Sequence, residues 1–339
     1  MKIKKVLVTG GLGYIGSHTI VELVNKGYEP IIIDNLSNAS IKVLDVLEQM
    51  LKIKIPFYQI DCTDSCEVNK VFDEHKIDAV IHFAALKAVG ESIQKPAEYY
   101  YNNLVSTLTI LKAVQAHGVK NFIFSSSATV YGNPIHVPCL ESDPIVNATN
   151  PYGQTKIINE RILTDYSNIH KDTNIALLRY ANPIGAHSSG KLGENPNGIP
   201  NNLMPYVSQV AVGKRDKLTV FGNDYPTKDG TCIRDYIHVS DLALGHVLTL
   251  EKFETDPGLV IYNLGTGEGT SVLDLVNAYQ KATGIKINYT FGPRRDGDIP
   301  TNYLDVTKAK NELGFKCKYS IEDCCKTAYE FQIKHPNGY

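Results

Sequence analysis

Short apolar runs alternate with amphipathic stretches through the first half of the chain. Lys4–Thr9 holds the uninterrupted core Val6-Leu7-Val8 and reads as a strand buried on both faces. Ser17–Lys26 has helical periodicity, and Gly27 suits its stop. Pro30–Ile33 is a second strand ending at Asp34. A helix is expected from about Ser40 to Leu51, then a strand over Ile55–Ile60 that ends at Asp61. Thr63 or Asp64 caps a helix running to about Glu74, and Ala79–Ala84 is the fourth strand. A long helix spans about Pro96–His117, stopped by Gly118. Asn121–Phe124 is the fifth strand and delivers Ser125, Ser126 and Ser127 at its C-terminal end. A helix from Pro151 to about Ile169 and a strand at Ile175–Leu178 follow. Repeated strand–helix units predict an α/β fold built on a doubly wound parallel (Rossmann) sheet, with ligands over the strand C-termini. Asp34, Asp61, Phe83-Ala84, Ser127 and Tyr180–Asn182 all fall on that edge.

The texture changes after Asn182. Residues 188–202 are rich in Gly, Pro, Asn and Ser and mark a boundary loop. Shorter elements follow: a helix near Leu203–Gly213, strands near Leu218–Val220 and Ile233–His238, and helices from Asp241, Val272 and Thr307. The expected division is a dinucleotide unit over 1–182 and a smaller C-terminal α/β substrate unit over 183–339, with some segments able to return to the first. His82 and His238 lie among apolar residues and read as core histidines. The charged helix Ile321–Lys334 reads as a solvated face.

Composition narrows the class. With 43% hydrophobic and 21% charged residues, the chain of 339 residues reads as a soluble globular enzyme. A formal net charge of −2 provides no basic field for nucleic acid or an anionic membrane. No uncharged stretch approaches a membrane span. Lys2, Lys4 and Lys5 mimic the start of a signal peptide, but the apolar run behind them is far too short. The seven cysteines, an odd number with no C-x-x-C pair, read as reduced thiols of a cytoplasmic protein, and no metal site is expected.

Two constellations carry chemistry. Gly10-Gly11-Leu12-Gly13-Tyr14-Ile15-Gly16 directly follows the first strand. It satisfies both G-x-x-G-x-x-G and G-x-G-x-x-G, the turn that lets backbone amides at a helix N-terminus touch a pyrophosphate. Asp34, eighteen residues after Gly16, suits a ribose 2′-hydroxyl and repels a 2′-phosphate, which favours NAD over NADP. The second constellation is Tyr152 and Lys156, four apart in Asn150–Lys156, with the serine run upstream. On a helix the two share a face, so the ammonium is expected to favour the phenolate. A tyrosine base at pH 7 needs a shift of roughly three units, about 4 kcal/mol, and a bound nicotinamide cation is expected to supply what the lysine does not.

These residues, with Ser125–Gly132, Leu86–Ser92, Ile199–Tyr206, Arg234–Val239 and Pro293–Asp298, resemble the extended short-chain dehydrogenase/reductase superfamily over nearly the whole length. Within it they are similar to the branch that epimerises UDP-hexoses at C4 through a 4-keto intermediate with tightly bound NAD. The resemblance implies that Ser127, Tyr152 and Lys156 are the catalytic trio. It implies a cofactor site of Gly10, Gly13, Tyr14, Ile15, Gly16, Asp34, Asn35, Asp61, Cys62, Phe83, Ala84, Lys87, Asn102, Ser125 and Tyr180, shared with Tyr152 and Lys156. It places Asn182, Asn202, Leu203, Phe221, Arg234, Arg295 and Asp298 on the UDP-sugar beside Ser127 and Tyr152. Guanidinium forks match phosphate oxygens, which suits the two arginines. The resemblance also implies a homodimer through the Pro96–His117 and Pro151–Ile169 helices.

Two positions depart from that pattern. Ala181 stands where an aromatic is common, and Asn302 stands at a position where tyrosine narrows the sugar pocket. The smaller asparagine predicts room for N-acetylated UDP-sugars. A related 4,6-dehydratase needs an Asp-Glu pair after the Ser/Thr; Ala128 and Thr129 occupy those positions and cannot serve as acids. A non-catalytic dinucleotide sensor keeps the glycine loop but has no need of the Tyr–Lys pair, which this chain retains.

Overall fold

The computed structural model describes residues 3–145, 147–295 and 297–339; Lys2 and Asp296, which figure in the sequence reading, lie outside them. The first half runs β1 (Lys5–Thr9), α1 (Tyr14–Asn25), β2 (Glu29–Ile33), α2 (Lys42–Leu51), β3 (Phe57–Tyr58) and α3 (Ser65–Glu74). It continues through β4 (Ala79–His82), α4 (Val89–Gln94), α5 (Pro96–Ala116), β5 (Asn121–Ser125), α6 (Pro151–Ile169) and β6 (Asn174–Tyr180). The second half holds β7 (Asn182–Ile184), α7 (Leu203–Ala211), β8 (Leu218–Phe221), β9 (Ile233–Arg234), β10 (Tyr236–His238), α8 (Val239–Lys252) and β11 (Leu259–Leu264). It ends with β12 (Thr270–Ser271), α9 (Val272–Thr283), β13 (Tyr289–Gly292), β14 (Thr301–Asn302), α10 (Thr307–Leu313) and α11 (Ile321–Lys334).

The central sheet has seven parallel strands in the order β11-β6-β5-β4-β1-β2-β3. The order reverses between β1 and β4, so a crevice opens above their C-terminal ends. Alternate side chains go to opposite faces. Val6, Val8, Ile32, Ile81, Ile123 and Leu178 pack with Ile20, Leu23 and Leu250 on one face. Leu7, Ile31, Val80, Phe122, Phe124 and Leu177 meet Val68, Phe72, Ile110 and Leu163 on the other. Burial on both faces is why these strands read as unbroken apolar runs.

Several helix starts follow from single residues. Asp64, not Thr63, caps α3, its carboxylate accepting from the amides of Cys66 at 3.0 Å and Glu67 at 3.1 Å. Asn150 caps α6 by accepting from the Gly153 amide at 2.9 Å, with Pro151 in the first turn. That cap places Tyr152 at the very start of the helix, on the crevice side.

The structure departs from the sequence reading in several places. The helix expected from Ser17 begins at Tyr14, because the glycine loop feeds straight into its first turn. The strand expected over Ile55–Ile60 is only Phe57–Tyr58, an edge strand paired on one side alone. Leu259–Leu264 was not foreseen as a strand, yet it pairs with β6 at six positions. Helix α11 is half-buried rather than a solvated face: it packs on α9 and α7 and encloses Cys324, Cys325, Ala328 and Phe331.

Around the sheet's far end the second half builds its own cluster from Met204, Val207, Leu218, Val220, Leu275, Tyr279 and Cys325. Three small sheets, β10-β7, β12-β9-β14 and β13-β8, carry it. The buried histidines have structural work. His82 bonds the hydroxyls of Thr9 at 2.7 Å and Thr107 at 3.2 Å, and His238 caps α8 while stacking on Tyr319. All seven cysteines are free. Among the described residues, no helix is long and apolar enough to cross a membrane.

Candidate active site

A cleft of about 810 Å³ lies over the crevice between the two halves. At its floor the glycine loop leaves β1 with Gly10 at φ +66°, held by a bond from its amide to Ile33 O at 2.7 Å. A Cβ on Gly10 would sit 2.9 Å from Ala84 N, and one on Gly16 would sit 2.3 Å from Gly10 O. Side chains are excluded there by the backbone itself, which leaves a cradle open to a ligand. Gly13 caps α1 without a side-chain bond, so the first-turn amides face the cleft, where the helix dipole favours an anion.

Beside the cradle, Asp34 is buried. One carboxylate oxygen accepts from Leu12 N at 3.0 Å and the other from Leu36 N at 2.9 Å. Burial raises its pKa and these amides lower it. Its placement at the end of β2 is that of a ribose-binding carboxylate. Further along the wall, Asn35 donates to Asp61 at 2.9 Å, and Cys62 is buried behind them. Tyr14, Ile15, Phe83, Ala84, Lys87 and Asn102 line the same side.

Ser125, Ser127, Tyr152, Lys156 and Tyr180 converge over the ends of β5 and β6. Lys156 is buried, and its ammonium donates to Ser125 O at 2.6 Å. Burial depresses its pKa to about 7, against a raising influence from Glu160 one turn on. Lys156 Nζ lies 5.8 Å from the centre of the Tyr152 ring. The Tyr152 phenol is raised above its ordinary value by burial, and the neighbouring Ser127 hydroxyl lowers it in part. The lysine's share of the expected shift is limited by this geometry: its ammonium is turned to a carbonyl and weakened by its own desolvation. The Tyr180 hydroxyl bonds Ser125 Oγ.

Behind this group is a buried ion pair. Arg179 donates to both oxygens of Glu160, at 3.0 and 2.7 Å, and Ser126 donates to the same carboxylate at 2.5 Å. Removing one partner of such a pair leaves an uncompensated charge, so the network holds the serine run against α6.

Toward the second half, Asn182, Asn202, Leu203 and Arg234 line the wall, as do Ala128, Thr129, Ala181 and Asn302. Asn302 donates to Ala128 O at 3.4 Å. Phe221, Arg295 and Asp298 do not line the cleft wall; they form its outer continuation. Asp298 lies between Arg234, at 3.6 Å, and Arg295, at 3.9 Å, and the Arg295 guanidinium sits 4.5 Å over the Phe221 ring. The sequence reading missed Glu194, Asn197 and Tyr339, which also line the cleft. The loop had shown only turn composition, and nothing local marks Tyr339.

A family model described as GDP-mannose 4,6 dehydratase matches residues 7–328. The UDP-glucose 4-epimerase of Bacillus subtilis is 54% identical over 334 residues, 98% of each chain. The crystal structure of UDP-glucose 4-epimerase from Bifidobacterium longum in complex with NAD+ and UDP superposes with a TM-score of 0.97 at 51% identity, covering 99% of this chain and 100% of that one. The UDP-Glc/GlcNAc 4-epimerase from Campylobacter jejuni superposes at 0.84 with 36% identity, covering 98% of this chain and 99% of that one.

Proposed function

The chain belongs to the family of that model, on the branch of the UDP-glucose 4-epimerases, and we propose that it interconverts UDP-glucose and UDP-galactose by inverting C4 with NAD held in the cleft. One observation carries the reading. The glycine cradle, the Tyr152 phenol and Arg234 open onto a single cleft, so a dinucleotide and a UDP-sugar can meet over the sheet edge.

The residues present suit NAD. The backbone-walled cradle of Gly10, Gly13 and Gly16 admits a diphosphate, and Asp34 accepts from a ribose hydroxyl while repelling a 2′-phosphate. When bound, NAD would supply a reversible hydride acceptor for C4 of the sugar and a positive charge that favours the Tyr152 phenolate. Tyr152 takes the proton of the 4-hydroxyl, directly or through Ser127, and returns it to the same oxygen when the turned 4-ketone is reduced on its opposite face. Lys156, anchored on Ser125 O, orients the nicotinamide ribose. Arg234 and Arg295, pre-set by Asp298, hold the UDP diphosphate, and Asn182, Asn202, Leu203 and Phe221 bound the substrate. The sugar end meets the small side chains Ala128 and Ala181, which leave it free to present either face of C4. Binding energy from the UDP end thus serves the reaction at the sugar.

Ala128 and Thr129 supply no acid–base pair for expelling a C6 hydroxyl, which separates this chain from the dehydratase chemistry in the name of the family model. Asn302 supports a second substrate class: a carboxamide in that wall leaves more room than a phenol, so N-acetylated UDP-hexoses are accepted as well. The division into 1–182 for the dinucleotide and 183–339 for the UDP-sugar belongs to this reading, with 239–264 serving the first unit. So do a homodimer through α5 and α6, and a cytoplasmic location in keeping with seven unpaired cysteines.

Incubating the purified protein with UDP-galactose and no added cofactor tests the function. UDP-glucose is the expected product. A stable 4-keto-6-deoxy sugar would indicate a dehydratase, and no product a sensor.

A further inference from the structure

The segment from Gly193 to Asn202 crosses the cleft and is fastened on both sides of it. It emerges from a turn in which Ala186 bridges Gly193 and the His187 amide donates to Leu192 O at 2.9 Å. The turn is pinned to α11, where a Cβ on Gly193 would meet the Phe331 ring at 2.5 Å. The Tyr339 hydroxyl receives the Gly193 amide at 3.0 Å and lies 3.3 Å from Gly193 O. At the adenosine end, Asn197 Nδ2 reaches Ser37 O at 3.4 Å, just past the ribose-binding Asp34. In between lies Glu194, whose side chain is only 10% exposed. Its carboxylate receives Asn202 Nδ2 at 2.6 Å from the substrate side and lies 3.7 Å from Lys87 Nζ on the cofactor side. Asn202 occupies the N-cap position of α7 but makes no capping bond. Its amide is turned to Glu194 instead, forgoing the cap that this residue type favours.

A carboxylate in a cleft built for two diphosphates is unfavourable unless it holds something in place. Among the described residues, Lys87, Lys156 and Arg234 are the cations of the cleft wall. Lys156 is anchored on Ser125 and Arg234 faces Asp298, so Lys87 is the cation of this wall that Glu194 can hold toward the dinucleotide. We propose that residues 193–202 form a strap that retains the cofactor, and that Glu194 is its positioning residue, tying Lys87 and Asn202 together across the cleft. This rests on the NAD reading above. Release of NAD then requires the Glu194–Lys87 pair and the Gly193–Tyr339 bonds to open together. The pair is partly exposed, so salt weakens it and speeds release.

The experiment uses full-length protein loaded with NAD. An NAD glycohydrolase in the solvent destroys whatever is released, and bound NAD is followed with time at low and high salt. Glu194→Gln keeps an acceptor for Asn202 but removes the charge; release is expected to quicken about fivefold to tenfold and to lose most of its salt dependence. Tyr339→Phe cuts the strap at its other fastening without touching the ion pair, and is expected to quicken release while leaving the salt dependence intact. Wild-type release from Glu194→Gln overturns the proposal for that residue, and wild-type release from Tyr339→Phe overturns the strap as a unit. A wild-type protein that neither carries NAD nor takes it up overturns the cofactor reading instead.

Discussion

Tyr152 shows how a side chain's chemistry depends on what surrounds it. Its place beside Lys156 follows from their spacing, but its protonation does not. Burial raises the phenol, and the lysine that should oppose this is itself depressed to about 7 by the same burial. Both directions favour the neutral phenol, and in the proposed mechanism the positive charge of bound NAD is what favours the phenolate. Tyr152→Phe is expected to retain NAD and UDP while kcat falls about 100- to 10,000-fold, the usual worth of a positioned acid–base group. Equilibrium binding and turnover on one preparation check this; near-normal turnover removes the phenol from the mechanism. Asn302 makes a second residue-scale case. Asn302→Tyr fills the wall opposite Ala128, so activity on UDP-N-acetylglucosamine should be lost while activity on UDP-glucose persists. Parallel loss of both would deny Asn302 a role in selecting the sugar.

Among the elements, α1 and α8 form the layer under the cofactor end, packed against each other over their length. Each buries a histidine: His18, depressed to about 3, and His246, depressed to about 4, both by desolvation. His82 on β4 is likewise held near 3. The Nε2 atoms of His18 and His246 have no hydrogen-bond partner among the described residues, so a proton there would bring a buried charge with nothing to pair it. These folded-state values lie below the ordinary 6.5. The stability they contribute is therefore complete above about pH 6.5 and is lost as pH falls toward 3–4, because the unfolded chain takes up protons first. By pH 5 the loss is about 2 kcal/mol for each histidine. Thermal melts from pH 8 to pH 5 should show a falling Tm below pH 6.5, and a flat profile would contradict the burial of these rings. Which elements were legible depended on whether their signals were local. Helices with their own caps, such as α3 behind Asp64 and α6 behind Asn150, stood where expected. Strand β11 did not, because a six-residue apolar segment far from its neighbour in sequence says nothing of the β6 edge it joins.

For the molecule as a whole, the exposed flank of α5 carries Tyr101 and Leu108, 64% and 39% accessible, beside α6. Large apolar side chains grouped on one helix face suit a partner more than water. In the proposed homodimer two copies of this flank meet. Leu108→Arg would place a guanidinium in that seam and is expected to shift light-scattering mass from dimer to monomer while leaving the monomer folded. An unchanged mass would move the interface elsewhere. The cleft is likewise a property of the whole. Its floor comes from β1, β2 and β4, its chemistry from β5, β6 and α6, and its far wall from α7, β9 and β14.

The alternating sheet-and-helix order, the glycine cradle, Asp34 and the Tyr152–Lys156 pair were all readable from the linear chain. Each is encoded within a few residues by periodicity, backbone freedom or spacing. Long-range folding set the rest: that β11 and α8 return to the first half, that Asp298 stands between Arg234 and Arg295, that Glu194 spans the cleft, and that Lys156 faces a carbonyl. These depend on surfaces brought together from distant parts of the sequence, where burial and pairing, not local preference, set both position and charge.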